Sequence, residues 1–190
     1  MNEASLTMGL GLFGNTAGST SLINLSDSGA LNLTGSLTLA ANAATVGTLT
    51  QTGGTLTVPT LLNGPGTGTY NLTGGTGRVQ TGGINVARNG GYSPLGVINI
   101  GGTGQLTIDY QGVTEGGADI GFLNVGVTSS GGRASDGVVN LATGGVLTAP
   151  LIYSGDGVTE AMAGNASLNF HGGTLVTNAD QADYLRLMDA

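Results

Sequence analysis

The chain has no cysteine, no tryptophan and no lysine; its four basic side chains are Arg78, Arg88, Arg133 and Arg186. Each absence excludes a class of chemistry. Without cysteine there is neither a disulfide framework nor a thiolate metal site. Without lysine there is no phosphate-cradling P-loop lysine, no Schiff base and no Lys–Asn isopeptide cross-link. Four scattered arginines against a net charge of −7 cannot form a basic stripe, so a nucleic-acid partner is not expected. No apolar run of about 18 residues occurs, and no membrane span is expected. The opening MNEASLTMGLGLFG lacks the basic start and long apolar stretch of a signal peptide, and the chain reads as a piece excised from a longer one.

What is present is glycine and single aliphatics. There are 38 glycines, 39% of residues are apolar, only 8% are charged, and mean hydropathy is +0.21. Disorder goes with low hydrophobicity and high net charge, which this composition contradicts. Leu, Val and Ile stand singly between Thr, Asn and Ser, as a pleated, half-buried surface requires. Glycine marks where each strand ends. The 190 residues suffice for one domain with a buried core.

Internal repetition sets the architecture. One phrase recurs: apolar–Asn–apolar, a short polar step, usually Gly-Gly, then a second apolar alternation. It reads INLSDSGALNL from Ile23, YNLTGGTGRV from Tyr70, INIGGTGQLTI from Ile98, VNLATGGVLTA from Val139 and LNFHGGTLVT from Leu168. LTQTGGTLTV from Leu49 is a degenerate copy, and LNLTGSLTL from Leu31 a further candidate. A second phrase lies between copies: GGINVARNGG from Gly82 and GFLNVGVTSSGG from Gly121. The anchors Asn24, Asn71, Asn99, Asn140 and Asn169 define a structural ladder with a unit of roughly 20 to 40 residues and variable loops.

Period-two geometry puts Asn on one side of such a strand and its two apolar neighbours on the other. Leu72, Ile100, Leu141 and Phe170 are therefore expected inside, and Tyr70 with them. A strand of about three to five residues cannot bury its apolar face alone, so neighbouring repeats must stack over it. Gly-Gly supplies the backbone freedom for a sharp corner. The expected fold is all-β: a parallel, right-handed β-helix solenoid of about seven or eight rungs.

The phrases LNVG…GVVNL..GGVL and SLNFHGGTLVTNADQADYL resemble the autotransporter-associated β-strand repeats, over residues 20 to 180 or so. That resemblance implies a parallel β-helix passenger region of a large exported bacterial protein, extracellular or at the cell surface. It implies a scaffold rather than an enzyme. The chain departs from that pattern in being short, with neither a translocator barrel nor a sorting tail.

The expected organisation is an N-terminal cap or docking segment over 1–20, β-helix repeats over 21–177 and a short C-terminal capping helix over 178–190. In the last segment Ala182, Leu185 and Met188 share a helical face, and Asn178 with Gln181 has capping-box spacing. A bare solenoid end exposes unpaired backbone, so chains are expected to associate end to end.

Parallel β-helices also host polysaccharide-degrading enzymes, which need paired carboxylates on adjacent rungs. The candidates here are Asp109, Glu115, Asp119, Asp136 and Asp156, with Arg88 and Arg133. Most stand beside glycine in turn-like stretches (EGGAD, ASDG, SGDG), where Asp ordinarily stabilises the turn. Asp109, Glu115 and Asp119 are also the candidates for a cation, though they match no calcium-loop motif. His171, the only histidine, has no second His or Cys to complete a metal site. No catalytic residue and no cofactor are expected. Thr-x-Thr pairs at Thr48/Thr50, Thr55/Thr57 and Thr67/Thr69 raise an ice-binding array as an alternative, and exposed tyrosines would favour an adhesin bound to a surface glycan.

Overall fold

A computed structural model describes residues 5–8, 11–88, 95–109, 122–127, 135–154, 164–179 and 184–186. Among them there is no helix, and the sixteen strands join into one sheet whose strand pairings are all parallel.

The registers sort the strands onto three faces, visited in the same order turn after turn. The first face stacks Thr20–Leu25, residues 46–51, residues 67–72, Leu95–Ile100, Asp136–Ala142 and Asn165–His171. The second stacks Ser5–Met8, Ala30–Leu33, residues 55–58, residues 76–79, Gln105–Ile108, Val146–Ala149 and Thr174–Thr177. The third stacks Gly11–Leu12, Leu37–Leu39, residues 61–63, residues 84–88, Leu123–Val127, Ile152–Tyr153 and Leu185–Arg186. The first recurring phrase thus runs across the first two faces, and the second phrase is the third face. LNLTGSLTL is not a copy of the first phrase, because its Leu31–Leu33 lies on the second face and its Leu37–Leu39 on the third.

Strict alternation turns these registers into a core. Leu49, Tyr70, Ile98 and Val139 form one buried column of the first face, and Leu72, Ile100 and Leu141 another. Leu31, Leu56, Leu106 and Leu147 do the same on the second face, and Leu37, Leu61, Ile84, Leu123 and Ile152 on the third. Phe170 was expected inside with Leu141, over which it stacks, yet it is 51% exposed. It belongs to the last strand of its face, and no described strand pairs beyond it.

The corner between the first and second faces passes through a left-handed residue in each turn: Asp27, Gly54, Gly75, Gly102, Gly144 and Gly172. Stacking makes that corner crowded as well as left-handed. A Cβ on Gly144 would lie 2.1 Å from the carbonyl oxygen of Gly102 one turn away.

Among the described residues of 178–190 there is no helix. Leu185–Arg186 is a strand, in parallel register with Ile152–Tyr153, and Asn178 caps no helix. The helical spacing of a few apolar residues is a weak local preference, outweighed by hydrogen bonds to an open sheet edge. The side chain of Asn178 instead donates from Nδ2 to the carbonyl of Ile108, at 2.9 Å. The reason lies in Pro150. Register places Pro150 where Asp109 stands one turn earlier, and the N–H of Asp109 bonds the carbonyl of Val79 at 2.8 Å. Proline has no N–H to offer Ile108. Asn178 supplies the missing donor.

Candidate functional site

The surface feature that the fold builds most regularly is an asparagine column on the first face. Register brings Asn24, Thr50, Asn71, Asn99, Asn140 and Asn169 side by side on successive turns. Nδ2 of Asn99 donates to Oδ1 of Asn71 at 2.7 Å, Asn140 to Asn99 at 2.7 Å, and Asn169 to Asn140 at 2.9 Å. The sequence separations of 28, 41 and 29 residues show that the stacking, not the loop length, fixes the partner. Asn24 lies in the same column but outside the bonded run, because Thr50 interrupts it.

The column has a direction. In each of the three bonds the donor lies one turn nearer the C-terminal end than its acceptor. Oδ1 of Asn169 is thus the acceptor that the ladder presents at the last turn. Around it the end is apolar: Phe170 is 51% exposed, Val176 39% and Leu185 48%, each on the last strand of its face.

Glycine makes this face possible in a way the phrase-level reading missed. Position two of the strands is Gly47, Gly68, Gly96 and Gly137 in four successive turns. A Cβ at Gly47 would meet the backbone nitrogen of Ala40 at 2.5 Å, at Gly96 that of Ala87 at 2.3 Å, and at Gly137 that of Gly126 at 2.4 Å. The first face therefore begins in direct contact with the end of the third. The visible signal is Gly-x-apolar-Asn-apolar in GTYNL, GVINI and GVVNL.

Tyr70 replaces an aliphatic in the column otherwise formed by Ile23, Leu49, Ile98, Val139 and Leu168. Room comes from Gly77, which stands where the second face carries Leu56 and Leu106; a Cβ there would sit 2.7 Å from the tyrosine oxygen. The buried phenol donates to Oε1 of Gln51 at 2.6 Å, and Nε2 of Gln51 donates to the carbonyls of Gly54 and Thr76 at 3.1 and 3.0 Å. Burial pushes the Tyr70 phenol far above its ordinary range, so it stays neutral. This is a closed structural network, not a reactive one.

The acidic candidates do not converge among the described residues. Asp109 receives Nε of Arg78 on both carboxylate oxygens, at 3.1 and 2.9 Å. Asp136 opens a first-face strand and accepts Nδ2 of Asn165 at 2.6 Å. Glu115, Asp119, Asp156 and Arg133, and the side chain of Arg88, lie outside what is described. No group of three or more His, Cys, Asp or Glu that could hold a metal occurs among the described residues. His171 is exposed and stands in register opposite Ala142, the residue before Thr143. Its carbonyl accepts Oγ1 of Thr143 at 3.1 Å.

The threonine pairs share no single array: Thr48/Thr50 and Thr67/Thr69 lie on the first face, Thr55/Thr57 on the second. Among the tyrosines, Tyr70 is buried, and Tyr153 packs against Phe122 with ring centroids 5.4 Å apart and planes tilted by 51°. Tyr184 donates to the carbonyl of Val176 at 3.2 Å, and burial pushes its phenol up to about 12. Tyr92 and Tyr110 lie outside the described residues. Comparison with protein-family models, with curated proteins and with solved structures finds no match for this chain.

Proposed function

We propose that this chain is a structural, non-catalytic β-helix segment, right-handed, from an extracellular or surface-exposed bacterial protein, serving as a stalk or as a unit of a head-to-tail filament. The observation that carries this reading is the continuity of the stack. Core columns on all three faces and the asparagine column on the first run through successive turns in parallel register. A stack in which each turn lies on the edge of the one before can be continued by a further turn of the same kind. Right-handedness follows the near-universal preference of parallel crossover connections. The surface location rests on the resemblance of the repeats to autotransporter-associated β-strand repeats. Of the candidate carboxylates that are described, Asp109 is paired with Arg78 and Asp136 with Asn165, partners that suit carboxylates stabilising strand ends.

Negative-stain microscopy combined with sedimentation over a concentration series tests the proposal. Rods that lengthen with concentration support it. Single short particles at every concentration, together with binding to a surface polysaccharide, would replace it with a glycan-binding segment.

A further inference from the structure

The three corners of the solenoid differ in how far their lengths vary. Between equivalent register positions the first-to-second corner spans residues 52–54, 73–75, 101–104 and 142–145, three or four residues each time. The second-to-third corner is short at 59–60, 80–83 and 150–151, and long at 109–122. The third-to-first corner has a different length in each of four turns: residues 40–45, 64–66, 87–94 and 126–135, from three to ten residues.

Across that variable corner the same close contact recurs. Gly47 lies against Ala40, Gly96 against Ala87 and Gly137 against Gly126, so close that a Cβ would stand 2.5, 2.3 and 2.4 Å from the facing backbone nitrogen. The residues they face are left-handed, with φ of 52 at Ala40, 62 at Ala87 and 76 at Gly126. In the remaining turn Asn63 serves instead: its buried side chain fills the space beside Gly68, and Nδ2 donates to the Gly68 carbonyl at 3.1 Å. Alanine adopts the left-handed region only at a cost, so at Ala40 and Ala87 the surroundings impose it.

We propose that this contact is a clasp that closes each turn independently of the segment it encloses, which makes the third-to-first corner the edge on which the chain carries segments of different length and sequence. The enclosed segments are residues 41–46, 64–67, 88–95 and 127–136. Across all four lengths the register beyond the clasp is kept: Val46, Thr67, Leu95 and Asp136 stack as the first residue of the first face. The inference goes beyond the scaffold reading and does not depend on how copies associate.

The first-to-second corner lacks this freedom, because its close contacts run between turns. A Cβ on Gly54 would lie 2.1 Å from the oxygen of Gly29, one on Gly75 2.4 Å from that of Gly54, and one on Gly102 2.4 Å from that of Thr73. An insertion there displaces the corner stacked against it. At the clasped corner both ends of the segment are already fixed. Lengthening it costs only loop-closure entropy, which grows with the logarithm of length.

The shorter segments also bond to the preceding turn, Ala41 N–H to the Phe13 carbonyl at 2.9 Å and Gly64 N–H to that of Leu39 at 2.8 Å, so the test uses 88–95. About eight glycine and serine residues, a flexible insert, are placed after Gly90 in one chain and after Thr103 in another, and thermal unfolding is followed in both. The insertion after Gly90 is expected to lower the melting temperature by no more than about 2 °C, and the one after Thr103 by about 10 °C or more. Gly96→Ala reads the clasp itself, since its Cβ meets the Ala87 nitrogen and forces the contact open. In that background the insertion after Gly90 is expected to lower the melting temperature by about 5 °C or more. Equal losses from the two insertions in the parent chain overturn the proposal, whether or not Gly96→Ala folds. An insertion after Gly90 that costs the same with and without Gly96→Ala overturns it too.

Discussion

The hydroxyl of Tyr70 donates a 2.6 Å hydrogen bond to Oε1 of Gln51 inside the solenoid core. Around that bond three departures from the repeat compensate one another. Tyr70 is too long for its column, Gly77 removes the leucine it would strike, and Gln51 turns an aliphatic site into the acceptor the phenol needs. Gly77→Leu alone is expected to destabilise the fold by several kcal/mol through overpacking. The triple change Tyr70→Ile, Gly77→Leu, Gln51→Leu restores the regular columns and is expected to recover most of that loss. Urea unfolding of the single and triple variants decides it; equal stability of Gly77→Leu and the parent would contradict the packing account.

The same phenols set an alkaline limit. Burial raises both Tyr70 and Tyr184 above the ordinary value of 10.0, Tyr184 to about 12. The unfolded chain therefore releases these protons first, so their contribution to stability is whole below about pH 10 and is lost as pH rises from there. For Tyr184 the loss is complete near pH 12. Melting temperature measured from pH 8 to 12 should fall above pH 10, and less steeply in Tyr184→Phe.

Asn99 both donates to Asn71 and accepts from Asn140. Asn99→Asp keeps the acceptor but sets a carboxylate oxygen against Oδ1 of Asn71. The expected cost is about 1–3 kcal/mol at neutral pH, recovered in acid as the carboxyl protonates and regains a donor. Denaturation midpoints at pH 7 and pH 3.5, each referred to the parent chain, measure it. A loss independent of pH would show that the ladder bonds do not carry the effect.

Pro150 and Asn178 should show strong non-additivity. Asn178→Ala leaves the Ile108 carbonyl without its donor and is expected to cost about 1 kcal/mol. Pro150→Ala returns a backbone N–H to that position, after which removing Asn178 should cost little. A double-mutant cycle reads the coupling directly; additive effects would separate the two residues.

Glycines with similar backbone angles should differ sharply by environment. Gly144 has φ +80 and would carry its Cβ 2.1 Å from the Gly102 oxygen, while Gly18 has φ +77 and nothing within 4 Å. Gly18→Ala should therefore lose only about 1 kcal/mol of conformational preference. Gly144→Ala should lose several times that, as thermal unfolding of the two variants would show.

Much of the architecture is present in the order of residues. Apolar–Asn–apolar alternation needs no tertiary information to place Leu72, Ile100 and Leu141 opposite Asn71, Asn99 and Asn140, because strand geometry has period two. Gly-Gly after each strand marks a corner for the same local reason. What local pattern could not supply was the neighbour across the turn. The Tyr70–Gln51–Gly77 compensation joins residues on adjacent faces and turns, and the role of Asn178 depends on a proline standing one turn back. At Leu185–Arg186 the tail is a strand because the spacing of Ala182, Leu185 and Met188 states only a local preference, whereas Ile152–Tyr153 pairs with Leu185–Arg186 in a register that no local pattern encodes. Residue order determined the alternation, the corners and the repeat. Stacking decided which residues met and how the asparagine column is directed, since both depend on strands brought together from 28 to 41 residues apart along the ladder.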